Sequence, residues 1–323
     1  MPQVSDERLA ELTDKLENGV KEVYASGQYA EYLAAMSKFH RYSFGNALLI
    51  LFQCPAASHV AGYNTWKKTF GRQVKKGERG IQILAPCPYQ KAVSREKKDP
   101  TTGQTLYGAD GKPLRETEFV SATRFKIAWV FDISQTEGRE LPSIGVSELT
   151  GDVPDFPAIY DRLAAISPLP VEQDTVPGAA KGYTSFLEQR IVIKPGMSQV
   201  QTIKTLIHEI SHAKLHDPEQ TAKGEEKARR EKEVEAESVA FVVCKHFGID
   251  TSDYSFAYVA GWSRGKELAE LKASLDIIHS TAGEIINAIQ PPEPIQERDE
   301  LEQSRQPRQQ SHKRRGKSNT RRT

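Results

Sequence analysis

A five-residue motif in the second half of the chain, HEISH at residues 208–212, constrains the fold more than any other feature of the sequence. Helix geometry places positions four apart about 40° apart around the axis and about 6 Å apart along it, so His208 and His212 can bind one metal ion. Glu209 then lies beside the ion, where its carboxylate can act on a water molecule as a general base. Zinc accepts such N and O ligands in a tetrahedron with one position open to water. The sequence therefore predicts a helix that carries a zinc site.

The motif is flanked by signals that delimit this helix. Ser198 and Gln201 form a capping box just after Pro195 and Gly196, and the helical pattern continues to about His216. Upstream, residues 182–187 and 190–194 are predicted to form the two strands of a β-hairpin. A strand edge beside a metal helix is a place where an extended peptide can pair.

The third metal ligand is not decided by spacing. His216 is eight residues from His208, about 12 Å along the helix, which is too far to share one ion. A glutamate from the following helix is the remaining source, and residues 231–241 contain several. Glu233 and Glu237 share one face of that helix, whereas Glu235 projects about 160° away from either. Both faces continue into apolar residues, so the pattern leaves these alternatives open.

The pattern along the chain predicts an α+β fold with two domains. At about 150 residues per domain, 323 residues allow two domains. We expect an α+β domain over residues 1–140, a Pro- and Gly-rich linker over 141–157, and a mainly helical domain with a small β-sheet over 158–290. Residues 291–323 have few large apolar side chains and are predicted to be disordered.

Charge is unevenly distributed, and this points to polyanion binding. Residues 36–98 contain 12 Lys or Arg and 2 acids, and residues 303–323 contain 8 Lys or Arg and no acid. Among polyanions, nucleic acids are bound by cations along the backbone and by flat side chains against the bases. The candidate contacts are Tyr63, Trp66, Lys67, Lys68, Arg72, Lys75, Lys76 and Arg79. The alternative is that the two aromatic residues belong to the core and that the cations form a solvated face.

Two resemblances to known families follow from longer stretches. Residues 197–247 resemble the ImmA/IrrE type of zinc-dependent metallopeptidase, in which HExxH is followed on the next helix by a Glu-Ala step within a Glu-rich run. This resemblance implies a zincin-like domain of the gluzincin type, and it places the third ligand at Glu235, before Ala236.

Residues 5–290 resemble the ArdC family of antirestriction proteins, which are carried on conjugative plasmids and other mobile elements. The resemblance is carried by FGN at residues 44–46, VAGYNTW at 60–66, GRQVKKGERGI at 71–81 and VFDISQT at 130–136, together with the metal helix. It implies an N-terminal domain that binds single-stranded DNA without sequence preference, joined to a metallopeptidase-like domain. The basic tail lies outside it.

Three functions remain as hypotheses. The first is a protein that coats incoming single-stranded DNA and hydrolyses peptides at a zinc site held by His208, His212 and Glu235, with Glu209 as the base. The second is a DNA-binding protein whose zinc is only structural, and the third is a regulatory protease that cleaves one repressor. No apolar run approaches the ~18 residues of a membrane span. Three cysteines without a CxxC pair favour the cytoplasm.

Overall fold

The computed structural model describes residues 3–25, 28–100, 102–141, 155–219, 227–249 and 266–291, together with positions 251, 254, 256, 259 and 263. Within these residues, the first half of the chain forms four helices: α1 (Gln3–Ala25), α2 (Tyr29–Lys38), α3 (Phe44–Gln53) and α4 (Tyr63–Lys68). It also forms the strands β1 (Val60–Gly62), β2 (Arg72–Val74), β3 (Ile81–Glu96), β4 (Arg115–Asp132) and β5 (Thr136–Gly138).

β3 and β4 form a long antiparallel hairpin that dominates the first half. Its register runs from Ile81 opposite Val130 to Glu96 opposite Arg115, and β1 pairs with the base of β4 to complete a sheet in the order β1-β4-β3. β2 and β5 form a separate antiparallel pair. At the base of the hairpin, Ile81, Ile83 and Val130 are buried in a cluster with α2 and α3.

Within the described residues, the second half of the chain contains a small sheet and four helices. The helices are α5 (Phe156–Ile166), α6 (Gln199–Leu215), α7 (Arg229–His246) and α8 (Leu268–Ile289). The strands β6 (Val171–Gln173), β7 (Gly182–Ser185) and β8 (Arg190–Ile193) form a sheet in the order β6-β8-β7. β6 is parallel and β7 is antiparallel to β8, so β7 lies at an edge of the sheet.

The two halves share one apolar core. Leu33 and Met36 of α2 are fully buried in the same cluster as Val239 of α7 and Ile278 of α8. A buried hydrogen bond of 2.9 Å also joins the hydroxyl groups of Tyr29 and Ser238. The described residues up to Gln290 accordingly form one compact unit.

The predicted α+β class is confirmed, and the elements predicted around the metal motif are present. Ser198 caps α6 by accepting a hydrogen bond from the backbone N–H of Gln201. The predicted boundaries between domains stay a prediction, because most of the proposed linker at 141–157 lies outside the described residues, as does nearly all of the tail at 291–323. Among the described helices, none is long and apolar enough to cross a bilayer.

Candidate metal centre

Helices α6 and α7 bring two imidazoles and one carboxylate together. His208 and His212 lie one turn apart on α6, and their Nε2 atoms are 3.1 Å apart. The Oε2 atom of Glu233 on α7 lies 3.6 Å from Nε2 of His208 and 3.7 Å from Nε2 of His212. Two ligand atoms of a tetrahedral zinc ion, each at about 2.0–2.2 Å from it, lie about 3.4 Å apart. The three side chains therefore fit one ion in both chemistry and spacing.

Glu209 lies next to this cluster, and β7 positions it. Its side chain is 93% buried, and its Oε2 atom is 2.8 Å from Oγ1 of Thr184, which also lies 2.9 Å from the backbone carbonyl of Glu209. The hydroxyl has one proton to donate, so it serves one of these two acceptors at a time. Thr184 is thus a positioning partner that the sequence analysis missed, because no local pattern links position 184 to position 209.

The cluster faces an open cavity of about 770 Å³. The cavity is lined by the edge strand β7, by α6 and by α7, and it also contains Phe186, Glu237 and Tyr254. Glu237 lies one turn beyond Glu233 on the same helix, as the sequence periodicity predicts. The cavity is large enough for several residues of an extended chain or for a small molecule.

The structure places Glu233 beside the two histidines, whereas Glu235, the ligand implied by the ImmA/IrrE resemblance, lies outside this cluster. Glu235 is fully buried, and its Oε2 atom is 3.0 Å from Nε2 of His216. Nζ of Lys227 donates to both Glu235 oxygens at 2.7 Å and 2.8 Å. The reason is geometric: on a helix whose Glu233 faces the cavity, Glu235 must face the protein interior.

His216 connects this buried pair to the metal cluster. Its Nδ1 atom is 2.9 Å from Nδ1 of His212. The sequence analysis excluded His216 as a ligand on distance alone, and the structure agrees that it contacts His212 and Glu235 instead of completing the cluster.

Charges in the cluster shift its pKa values. Burial acts to lower the pKa of His208, but hydrogen bonding to Glu233 and the charge of Glu209 outweigh it, so this pKa is raised. His208, and then His212, hold the pKa of the Glu233 carboxyl well below its usual range. Burial acts to raise the pKa of Glu235, yet His216 and Lys227 lower it on balance. Both carboxylates are therefore ionised at neutral pH, as metal ligation or hydrogen bonding to cations requires.

The predicted DNA contacts are placed on different surfaces. Trp66 is 99% buried, and its Nε1–H donates to the backbone carbonyl of Phe131 at 2.8 Å, so this side chain belongs to the core. Arg72 donates to Oγ1 of Thr136 at 2.8 Å and to nearby carbonyls, so it holds β2 against β5. Nζ of Lys75 donates to the carbonyl of Ser134 at 2.9 Å. The remaining candidates are exposed: Tyr63, Lys67, Lys68, Lys76 and Arg79.

The fold and the site together define a class: an α+β protein in which a β-hairpin region adjoins a helical part with a His-His-Glu cluster. Residues 2–131 match the family model of the N-terminal domain of the anti-restriction factor ArdC. The predicted resemblance to the ArdC family is thereby confirmed for this part of the chain.

Two further comparisons extend beyond the N-terminal domain. An uncharacterized protein of Bacillus anthracis is 29% identical over 312 residues, which is 88% of this chain and 51% of that protein, so the chain spans about half the length of this relative. The metal-free structure of the antirestriction ArdC protein from the R388 plasmid is 21% identical, with a TM-score of 0.45, over 76% of this chain and 83% of that chain. The Mn(II)-bound structure of the R388 protein is 18% identical, with a TM-score of 0.41 and the same coverage.

Proposed function

We propose that this chain is an antirestriction protein that binds single-stranded DNA through its N-terminal domain and hydrolyses peptide bonds at a zinc site in its second half. The observation that carries the hydrolytic part is the convergence of His208, His212 and Glu233 beside Glu209 at the wall of an open cavity. His208, His212 and Glu233 are the proposed ligands. A zinc ion held there would act as a Lewis acid and lower the pKa of a water molecule toward ~7.

Glu209 is the proposed general base, and its surroundings suit that role. Its carboxylate is mostly buried, so a proton that it accepts is held away from bulk solvent. Thr184 can donate to one of its oxygens, which fixes the orientation of the carboxylate and leaves the other oxygen for a proton from water. The same carboxyl group can later return the proton to the leaving amine.

We propose that the substrate peptide pairs as an added strand with the edge of β7 that lies opposite β8. Among the described strands, β7 pairs with β8 alone, so its other edge offers backbone N–H and C=O groups to an extended chain. Because Thr184 on β7 contacts Glu209, a peptide paired there would lie against the base.

Glu209→Gln tests the hydrolytic proposal directly. The variant keeps the shape of the side chain but cannot accept the proton, so we expect cleavage of an unstructured protein substrate to fall by at least about 100-fold. Zinc binding should be unchanged, because Glu209 is not a proposed ligand. Full cleavage by the variant would refute the role of Glu209, and wild-type protein that binds zinc but cleaves no substrate would favour a purely structural ion.

The DNA-binding part of the proposal is supported by membership of residues 2–131 in the ArdC family and by the excess of cations over residues 36–98. We expect the full chain to bind single-stranded oligonucleotides of mixed sequence more tightly than duplexes in fluorescence anisotropy, with affinity that falls as salt rises. Equal affinity for both forms would contradict the proposal. The full chain is required, because α2 packs in one core with α7 and α8.

A further inference from the structure

One face of the β3–β4 hairpin presents a row of exposed aromatic side chains. Side chains alternate along a strand, so Phe119, Phe125 and Trp129 of β4 point to the same side. Their exposed fractions are 68%, 52% and 50%. Large apolar side chains exposed in a row along one sheet face usually mark a binding surface. We call the face formed by these three residues the aromatic face.

The aromatic face lies opposite the cluster that buries Ile81, Ile83 and Val130. The alternate residues Ala128 and Val130 point toward that cluster. On the aromatic side, Ile127 and its cross-strand partner Leu84 are partly buried against the main core, whereas the three aromatic residues stay at least half exposed. Packing of this side therefore does not cover the three rings.

The row is extended and held in place at its base. Tyr63 is 46% exposed, and its ring contacts that of Phe131, the next residue of β4 on the same side, with the ring centres 6.4 Å apart. Gly80 packs against Trp129: a Cβ atom at this position would lie only 3.0 Å from Cβ and 3.1 Å from Cδ1 of Trp129. The absence of a side chain at Gly80 thus lets the backbone support one side of Trp129 while half of that residue stays exposed.

Cations surround the base of the aromatic face. Trp129 lines an open cavity of about 560 Å³ together with Arg8 and Lys15 of α1 and with Arg79, and Glu11 is the one acid among the described residues that line it. A flat ring beside a group of cations is the arrangement that binds the bases and the phosphates of a single strand. An apolar protein surface would leave the three cations around the indole ring without anionic partners.

We propose that single-stranded nucleic acid binds along this aromatic face, with bases stacked on Trp129, Phe125 and Phe119 and with phosphates held at Arg8, Lys15 and Arg79. This inference rests on the proposed DNA-binding function and gives it a location. The location shares Tyr63 and Arg79 with the candidates indicated by sequence, but it is centred on β4 and not on Trp66, which is buried in the core.

Fluorescence anisotropy with a mixed-sequence single strand tests this location on the full chain. Trp129→Ala and Phe125→Ala should each weaken binding about 5- to 100-fold, while the slope of log affinity against log salt stays unchanged, because stacking releases no counterions. Arg79→Gln should instead reduce that slope by about one. Trp129→Phe should restore most of the affinity. All these side chains are substantially exposed, so the variants should fold.

Tyr89→Ala is the matched control. Tyr89 is 41% exposed on the same hairpin, but it pairs with Ala122 on the opposite side from the aromatic face. We expect it to leave affinity unchanged. If Tyr89→Ala weakens binding and Trp129→Ala does not, the strand binds the other side of the hairpin and the inference is wrong.

Tryptophan fluorescence provides an independent readout. Stacking of a base on Trp129 should quench emission of the wild-type chain when a single strand is added, and Trp129→Phe should abolish most of this quenching while it still binds. If the wild-type chain binds single strands but the aromatic-face variants bind equally well, only the location is refuted. If the wild-type chain binds no single strand, the proposed DNA-binding function fails as well.

Discussion

His212 and His216 face each other across one turn of α6, with their Nδ1 atoms 2.9 Å apart. The ionised Glu235 accepts from Nε2–H of His216, so Nδ1 of His216 is left with a lone pair when that ring is neutral. It then accepts a hydrogen bond from Nδ1–H of His212, which leaves the lone pair of His212 on Nε2, toward His208 and Glu233. Glu235 and His216 thereby select the tautomer of His212 that can bind a metal ion.

His216 is not a proposed ligand, but its removal should still weaken metal binding. We expect His216→Ala to lower zinc affinity about 10- to 100-fold, the usual effect of losing an outer partner of a ligating histidine. Competition with a chromophoric chelator would measure this. His216→Asn, whose amide oxygen can still accept from Nδ1–H of His212, should recover part of the loss, and an Asn variant no better than Ala would contradict the role in tautomer selection.

Trp66 should matter for stability and not for DNA binding. Its indole is buried and donates to the carbonyl of Phe131, so Trp66→Ala should cost about 3–5 kcal/mol of unfolding free energy. Trp66→Phe should cost less, and the folded variant should bind single strands with wild-type affinity. Urea unfolding followed by anisotropy checks both; a stable Trp66→Phe variant with greatly weakened DNA binding would count against the core assignment.

The free edge of β3 is closed by amide side chains of α3. Nδ2 of Asn46 donates to the carbonyl of Leu84 at 3.0 Å, and the backbone N–H of Leu84 donates to Oδ1 of Asn46 at 2.8 Å. Gln53, two turns later, makes the same pair of bonds with Gln82. The two side chains thus replace a neighbouring strand and prevent pairing at this edge.

Asn46→Asp should destabilise the fold more than Gln53→Glu. Each change replaces a donor with a carboxylate oxygen that repels a backbone carbonyl, but Asn46 is buried and Gln53 is exposed. We expect a loss of about 1–3 kcal/mol at Asn46 and less at Gln53. If both variants lose the same unfolding free energy, the burial of Asn46 does not add to the cost of its substitution.

Stability should fall as the pH decreases from about 6.5 toward about 4. Burial, and then the neighbouring His246 and Arg41, lower the pKa of His40 from 6.5 to about 4, and burial also lowers the pKa values of His246 and His279. Between these pH values the unfolded chain binds protons that the folded chain does not, so acid favours unfolding.

His40→Gln should flatten this pH dependence. The comparison of variant and wild type cancels the other titrating groups, including His208, whose raised pKa acts in the opposite direction. Urea unfolding at several pH values between 5 and 7 provides the measurement. An unchanged slope would mean that His40 does not stay neutral in the folded chain at these pH values.

Features that depend on a single helix could be predicted from the sequence. The placement of His208 and His212 on one face of α6 and the cap at Ser198 are two such features. The choice of Glu233 over Glu235 depends on how α7 packs against α6, which no single-helix pattern contains. The sequence left open whether Trp66 faces DNA or the core, because its hydrogen-bond partner, Phe131, is 65 residues away on β4. Phe125 and Trp129 lie on one side of β4, and which side of that strand is exposed depends on contacts far along the chain.

The central claim is that His208, His212 and Glu233 bind one divalent ion. Isothermal titration of the metal-stripped full chain with Zn²⁺ tests it most directly, with Glu233→Gln compared with Glu231→Gln on the same helix. Glu231 pairs with Lys266 at 3.1 Å, and it is outside the cluster. We predict one ion per wild-type and Glu231→Gln chain, and at least about 100-fold weaker binding by Glu233→Gln. Wild-type affinity in Glu233→Gln, or no stoichiometric binding by the wild-type chain, would contradict the claim.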